Sequence, residues 1–338
     1  MNKIKTDPYL SHLNIRTINK WCFTQLNKNT FPIIIIIVII GFGIREPKML
    51  AYSNIINILN QTSYLLILAI AQMIVLLTRG FDLSIGNTVS MIGVVTSVAT
   101  VKMVGIYPES NIFIPCITSC LVGLFAGVFV GAINGFNVAF LKINPFVATM
   151  GMMSIGYGIA STATGGYAVI LPEVLVNVFG RGKILGINIT IILCLFVCIS
   201  IHFILTKTTL GRSFYLIGDN PKSAHVAGIS VKLHTMMAYI ICSLLASIVA
   251  VLMISRTGTG EPNLGGGLMM KSIMAAIIGG VSFRGGKGNV WNCVIGALFV
   301  TILSNGMNLN RFSGYIQEIT LGFITIAAVV VYGLQRHD

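Results

Sequence analysis

"AAIIGGVSFRGGKGNVWNCVIGALFVTILSNGMNL" (residues 275–309) holds two apolar runs joined by a glycine-rich turn that carries two cations. Before the turn only 12 residues (272–283) are uncharged, whereas residues 288–310 form a long uncharged run. A helix rises about 1.5 Å per residue, so the first run is about 18 Å long, too short to cross a bilayer. The stretch predicts a broken or re-entrant membrane segment followed by a spanning helix.

The basic turn 279–289 can be compared with a nucleotide-binding loop, which requires Gly-x4-Gly-Lys-Ser/Thr. If Gly286 and Lys287 are the Gly-Lys pair, Val281 stands at the first glycine position and Gly288 at the hydroxyl position. The pattern fails twice, so we interpret the stretch as a tight turn at the cytoplasmic face. Glycine allows positive φ and close backbone approach there. The turn glycines are Gly279, Gly280, Gly285, Gly286 and Gly288.

The composition of the whole chain agrees with this interpretation. Of the 338 residues, 55% are hydrophobic and only 9% are charged, against about 25% charged residues in a soluble domain. A surface with so few charges needs lipid around it. The sequence predicts one all-α polytopic membrane domain (28–335) after a polar cytoplasmic tail (1–27), with no cleavable signal peptide.

Charge and cysteine content exclude other classes. The net charge is +13, but the cations lie at the ends of apolar runs, as expected for cytoplasmic loops, so nucleic-acid binding is not predicted. Cysteines recur at i,i+4 spacing (Cys116 with Cys120, Cys194 with Cys198) without a histidine or carboxylate to complete a metal site. No metal, cofactor or disulfide framework is expected.

The uncharged runs predict ten membrane helices. The polar stretch 49–62 is interpreted as a connector or half-helix at the interface. The predicted helices are at about 28–45, 60–78, 84–104, 112–140, 146–165, 184–206, 233–256, 268–283, 288–309 and 312–334.

Ten spans place both termini in the cytoplasm, and 14 of the 22 lysines and arginines then lie on that side. The longest inner loop (207–232) could hold a short helix flanked by turns, and the longest outer loop is 166–183. "RGFDLSIGN" and "NGFNV" recur in weaker form 177 and 171 residues later. These offsets predict a 5+5 inverted repeat, as in many transporters.

Polar residues near the predicted helix ends are candidates for a pathway or gate. Asp82 either borders a gate, since a charge in the membrane is usually functional, or caps the third helix while pairing with Arg79. Glu261 is either a loop acid or a pathway residue. Lys271 either extends to the outer interface or contacts the substrate. The uncharged candidates are Ser84, Asn134, Asn144, Pro145, Phe146 and Asn305.

Catalytic patterns are missing from the sequence. It contains no HExxH or G-x-S-x-G motif and no two carboxylates on one membrane helix. The spans also lack the chains of acids and histidines typical of proton-coupled carriers. The chain is therefore expected to be no enzyme and to depend on a partner for energy. A secondary sugar carrier without an ATPase is the alternative.

Four stretches resemble the permease subunits of ribose-type ABC sugar importers, over about residues 50–335. They are "GFDLSIGN" (80–87), "INGFNVAFLKINPFVATMGMMSIGYGI" (133–159), "TTLGRSFYLIGDNPKSAHVAGISV" (208–231) and "AAIIGGVSFRGGKGNVWNCVIGALFVTILSNGMNLNRFSGYIQEITLGFI" (275–324).

The resemblance implies a pathway for a monosaccharide or related polyol in the bacterial inner membrane, formed by two identical or different permease chains. It also implies a separate ATP-binding subunit with two fused nucleotide-binding modules and an extracytoplasmic solute-binding protein. The family's coupling segment matches 208–231. Its matching residues are Gly211, Arg212, Gly218, Asp219, Asn220, Pro221, Ala224 and Gly228.

One departure from the family concerns the eighth segment. Many similar permeases have acidic residues as the chain enters it, whereas this chain has Met269 and Lys271 at those positions. The resemblance therefore implies a less acidic pathway here and names no specific sugar.

Overall fold

The computed structural model describes residues 33–106 and 113–334, which fold almost entirely into helices. The helices are α1 (Ile33–Arg45), α2 (Tyr52–Leu77), α3 (Ile85–Ile106), α4 (Phe113–Ala139), α5 (Pro145–Thr164), the single turn α6 (Glu173–Leu175), α7 (Ile189–Lys207), α8 (Thr209–Asp219), α9 (Pro221–Val226), α10 (Val231–Thr257), α11 (Leu268–Ile278), α12 (Val290–Leu309) and α13 (Gly314–Leu334). Four two-residue strands accompany them: β1 (Val169–Ile170), β2 (Lys183–Ile184), β3 (Ile187–Asn188) and β4 (Thr259–Gly260).

Among the described residues, seven helices are long and apolar enough to cross a membrane: α2, α3, α4, α5, α7, α10 and α12. The predicted all-α polytopic membrane fold is confirmed. The count of ten spans and the inverted repeat stay predictions. The tail 1–27, the predicted start of the first helix at 28 and the C-terminal residues after 334 lie outside the described residues.

Burial separates central from peripheral helices. In the most hydrophobic part of each helix, 83% of the residues are buried in α2 and 67% in α10 and α12, but only 33% in α4, 28% in α7 and 22% in α5. The helices α10, α11, α12 and α7 all pack around α2. A displacement of α2 would therefore be felt through most of the bundle, because close-packed interiors transmit strain.

Glycine at every fourth position lets α4 lie directly against its neighbours. Gly123, Gly127, Gly131 and Gly135 share one face of α4. A Cβ atom on Gly131 would lie 2.6 Å from both the Cα of Ile240 and the carbonyl oxygen of Tyr239 in α10. Small residues at i,i+4 spacing allow this approach of membrane helices.

The loop 258–267 turns back into the bundle before α11 begins. At its start, a Cβ on Gly260 would lie 2.7 Å from the Cβ of Ser97 on α3, and near its end a Cβ on Gly86 would lie 2.8 Å from the carbonyl oxygen of Gly265. The distance between Ser97 and Gly86 along α3 is about 16 Å, so the loop follows α3 over that length. The helix α11 has only 11 residues, in line with the expectation of a segment too short to span. Gly260 and Gly265 are buried against α3, whereas four other residues of the loop are exposed.

The polar stretch 49–62 is not the connector or half-helix that the sequence predicted. After a 3₁₀ turn, α2 begins at Tyr52 and includes most of the stretch. Its amides bond across helices: Asn54 and Asn305 exchange two hydrogen bonds of 3.0 and 3.1 Å, and the Nδ2 of Asn188 donates to Asn60 at 2.9 Å. The expectation was wrong because the partners lie on distant segments.

Both long loops contain more structure than expected. The inner loop 207–232 forms two helices, α8 and α9, rather than one, and the side chain of Asn220 caps the second. In the outer loop 166–183, β1 pairs antiparallel with β4, and α6 continues into a π-helical turn at Val176–Gly180. The first residues of the sixth predicted helix (184–206) lie instead in the β2–β3 hairpin, so α7 starts at Ile189.

Candidate coupling and pathway sites

The C-terminal end of α8 meets the end of α2 and the glycine turn 279–289 at one backbone contact. A Cβ on Gly218 would overlap the carbonyl oxygen of Leu77 and the backbone nitrogen of Gly286, and it would lie 2.8 Å from the Gly286 Cα. The Gly286 N–H itself donates to the Leu77 carbonyl at 3.1 Å. Only glycine fits at 218. We name Leu77, Gly218 and Gly286 the coupling junction.

Arg79 reinforces this junction, and its predicted pairing with Asp82 is wrong. Its Nε donates to the carbonyl oxygen of Gly218 at 2.8 Å, and its Nη2 donates to the carbonyl of Asp219. These carbonyls end α8, where a helix lacks internal donors and carries partial negative charge. The guanidinium therefore caps α8 and ties it to the end of α2.

A second bond joins α8 to the glycine turn. The Tyr215 hydroxyl donates to the carbonyl oxygen of Gly288 at 2.7 Å. Burial raises the pKa of Tyr215, so the hydroxyl keeps its proton and remains a donor at neutral pH. A cavity of about 360 Å³ beside these contacts is lined by three basic residues, Arg79, Arg284 and Lys287, and by one acidic residue, Asp219, so its net charge is positive.

The glycine turn has the conformation that its sequence suggests. Gly280, Gly285, Gly286 and Gly288 all have positive φ, from 69° to 156°. Gly279 instead lies in the right-handed region, where it ends α11 and approaches α12 closely.

The other coupling residues shape and present the two short helices. Pro221 begins α9, Ala224 is buried, and Gly228 ends the loop with a φ of 82°. Gly211 lies against the end of α7, where a side chain would meet backbone. The side chains of Arg212 and Asp219 are exposed and face no described partner in an ion pair.

Asp82 lies at the centre of a buried polar cluster. It is fully buried, and its Oδ1 accepts bonds from the Ser84 N–H, at 2.9 Å, and from the Ser84 hydroxyl. The Sγ of Cys242 lies 3.6 Å from its Oδ2, and Asn134 Nδ2 donates to the Ser84 Oγ at 3.0 Å. Burial raises the pKa of Asp82 while the bonds from Ser84 act in the opposite direction. The structure thus brings together Asp82, Ser84 and Asn134 from the predicted pathway set.

Substituting Asp82 tests whether its oxygen or its charge matters. Asp82→Asn is expected to unfold at nearly the same temperature as the wild type, because the amide oxygen still accepts from Ser84. Asp82→Ala leaves two buried donors unpaired and should lower the free energy of unfolding by about 1–3 kcal/mol. Thermal unfolding of the purified chain in detergent measures both, and an equal loss in the two variants would contradict the assignment.

The remaining predicted pathway residues form contacts outside the Asp82 cluster. Asn144 caps α5, its Oδ1 accepting from the N–H of Phe146 at 2.9 Å, and Pro145 occupies the first turn. Asn305 is held in its pair with Asn54. Glu261 is exposed, and its Oε1 accepts from the Thr259 hydroxyl at 2.9 Å.

Lys271 faces a cavity that the sequence did not predict. The half-buried lysine lines a space of about 220 Å³ together with Arg256, Gln61 and Thr301, contributed by α11, α10, α2 and α12. The helices α10, α11 and α12 are consecutive in the chain, but α2 is distant from them in sequence, so only the fold reveals that all four converge. We name this space the four-helix cavity.

Comparison with known proteins establishes the family. A family model described as "Branched-chain amino acid transport system / permease component" matches residues 54–329, and the chain belongs to this family. The D-allose transport system permease protein of Escherichia coli (strain K12) is 34% identical, over 89% of this chain and 90% of that protein. The ribose import permease protein of the same strain is 31% identical over 92% and 94%.

The galactose/methyl galactoside import permease protein of Haemophilus influenzae (strain ATCC 51907 / DSM 11121 / KW20 / Rd) is 30% identical, over 93% of this chain and 96% of that protein. The predicted kinship with ribose-type ABC sugar importer permeases is therefore confirmed. No solved structure matches this chain significantly.

Proposed function

We propose that this permease carries a monosaccharide or related polyol, delivered by an extracytoplasmic solute-binding protein and driven by a separate ATP-binding subunit. Membership of the permease family and the allose, ribose and galactose relatives support this proposal. The energy source is expected on another chain, because the sequence has no nucleotide-binding loop.

The coupling junction is the observation that carries the mechanism. The exposed surface of α8 and α9 offers a contact for the ATP-binding subunit. Because Gly218 has backbone of α2 on one side and of the glycine turn on the other, a push on α8 cannot be absorbed locally. It moves α2 at the centre of the bundle and, through the turn, the helices α11 and α12. Such a movement would open the pathway alternately to the two sides of the membrane.

The orientation and assembly also belong to the proposal. Residues expected on the cytoplasmic side, Arg79, Gly218 and Arg284, line one cavity, whereas Arg256 and Lys271, expected on the outer side, line another. This grouping supports cytoplasmic termini in a bacterial inner membrane. A second permease chain, identical or different, would complete the path, and the ATP-binding subunit would contain two fused nucleotide-binding modules.

Reconstituted transport tests the function. The chain is placed in liposomes with candidate ATP-binding and solute-binding proteins from the same genome, and uptake of labelled monosaccharides is measured. Uptake is expected only when all three components are present and ATP is supplied on the side of the membrane that holds the ATP-binding subunit. Uptake by the chain alone, driven by an ion gradient, would contradict the proposal and favour a secondary carrier.

A further inference from the structure

We propose that the four-helix cavity binds a negatively charged group of the solute, so that the imported compound is a monosaccharide derivative bearing a carboxylate or phosphate. This inference rests on the proposed import function and deepens it by naming the chemistry of the substrate.

The charges of the cavity carry the first step. Lys271 and Arg256 line it, and none of its lining residues is acidic. Within the described part of the chain, Lys271 has no hydrogen bond or ion pair from its ammonium group. Ionisable groups at membrane depth are costly and are usually paired or functional. An ammonium directed into a cavity without a carboxylate therefore lacks a partner that an anionic ligand would supply.

Arg256 has only weak neutral partners. Its Nη2 donates to the Oδ1 of Asn57 at 3.2 Å, and its guanidinium lies 5.6 Å from the centre of the Tyr64 ring. Neither contact neutralises the charge. The carboxylate of Glu318 lies on the neighbouring α13 beside Gly267 but forms no ion pair with either cation among the described residues.

Hydroxyl groups in the cavity supply the second, independent observation. Thr301 is only 4% exposed, and its Oγ1 has no hydrogen-bond partner. The Oγ of Ser304, which also lines the cavity, has none either. A buried hydroxyl without a partner costs about 1–3 kcal/mol, so such groups usually await water or a ligand. Unpaired hydroxyls beside two cations suit a solute that carries both sugar hydroxyls and an anionic group.

Helix dipoles do not decide the sign of the cavity. The helix α11 begins at the cavity and α10 ends there, so their partial charges oppose one another, whereas the cavity residues of α2 and α12 lie more than one turn from a helix end. The two cationic side chains therefore dominate. The volume of about 220 Å³ lies below the roughly 300 Å³ at which pockets for drug-sized ligands begin, which suits a small polar solute.

A further unpaired polar side chain lies on α2, beyond the cavity. Gln72 is fully buried, and both of its amide atoms lack a partner. It lies three helical turns, or about 16 Å, beyond Gln61 on the same face of α2. Gln72 thus offers an unpaired polar group, on the face of α2 that carries Gln61, to a solute that leaves the cavity along this helix.

Matched sugars test the inference on the full-length chain in lipid nanodiscs. D-galactose, D-galacturonate and D-galactose 6-phosphate share one ring and differ only at carbon 6. Ligand-observed NMR, which detects millimolar affinities, gives the dissociation constant of each. At least one anionic sugar is expected to bind about tenfold more tightly than D-galactose, because its charge meets Lys271 and Arg256. The two anionic probes distinguish a carboxylate from a phosphate.

Variants link that preference to the cavity. Lys271→Met should reduce the preference for the anionic sugar to near unity, whereas Lys271→Arg should keep it. The exposed Lys102 on α3 provides a matched control, and Lys102→Met should leave the preference unchanged. Thr301→Val should weaken binding of all three sugars by a similar factor, since it removes a hydroxyl contact and no charge.

Equal binding of the three sugars, binding of none, or a preference that survives Lys271→Met would overturn the inference. The proposed function fails separately. ATP-dependent uptake of a neutral sugar by the complete system would uphold the import function and reject the anionic substrate. Uptake of an anionic sugar without the ATP-binding subunit would uphold the anionic substrate and reject the ATP-driven import function.

Discussion

Gly218→Ala is expected to abolish most ATP-driven uptake while the chain still folds and inserts. The added methyl group would overlap the carbonyl oxygen of Leu77 and the backbone of Gly286. Neither obstacle is a flexible side chain, so α8 must move away from α2 and from the glycine turn. Overpacking of this kind costs about 1–3 kcal/mol. Each 1.4 kcal/mol changes the equilibrium between the packed and the displaced position of α8 about tenfold. We therefore expect coupled uptake to fall about tenfold or more.

The measurement separates coupling from folding. Uptake into proteoliposomes and stimulation of ATP hydrolysis by the solute-binding protein are compared with the unfolding temperature of the same preparation. Gly151→Ala is the matched control, because that glycine lies on α5 with no atom within 4 Å of the added Cβ. Normal uptake and normal stimulation in Gly218→Ala would reject the coupling junction.

The glycine turn shows what local sequence can reveal. Its mismatch with a nucleotide-binding loop and its position after a short apolar run were both readable from residues 275–309. The structure agrees with that interpretation, because α11 ends before the turn, α12 begins after it, and four turn glycines have positive φ. Charge, length and glycine content are properties of the chain itself, so they predict such features without knowledge of partners.

Arg79 shows where that reasoning stops. Proximity in sequence suggested Asp82 as its partner, yet the guanidinium binds carbonyl oxygens at the end of α8, about 140 residues away. Free carbonyls at a helix end are invisible until the helix and its packing are known. The four-helix cavity was hidden for the same reason, since Lys271, Arg256 and Thr301 belong to three separate helices.

The glycines of α4 are an intermediate case. Their spacing of four residues is visible in the sequence and is a known signal for close packing of membrane helices. The partner helix is not visible. In the structure Gly127, Gly131 and Gly135 pack against α10, whereas Gly123 packs against Thr96 on α3.

Gly131→Leu is expected to destabilise the whole permease. Even a Cβ at this position would lie 2.6 Å from the Cα of Ile240 and the carbonyl oxygen of Tyr239, so the larger side chain must separate α4 from α10. Tyr239 also holds α10 to the buried Asp82 cluster, because its hydroxyl donates to the carbonyl oxygen of the adjacent Phe81 at 3.0 Å. We expect a loss of about 3 kcal/mol or more, at the upper end for overpacked sites, and little monodisperse protein after detergent extraction. Gly151→Leu, on an open face of α5, should extract and unfold like the wild type; the same behaviour in Gly131→Leu would show that α4 and α10 are not held by this contact.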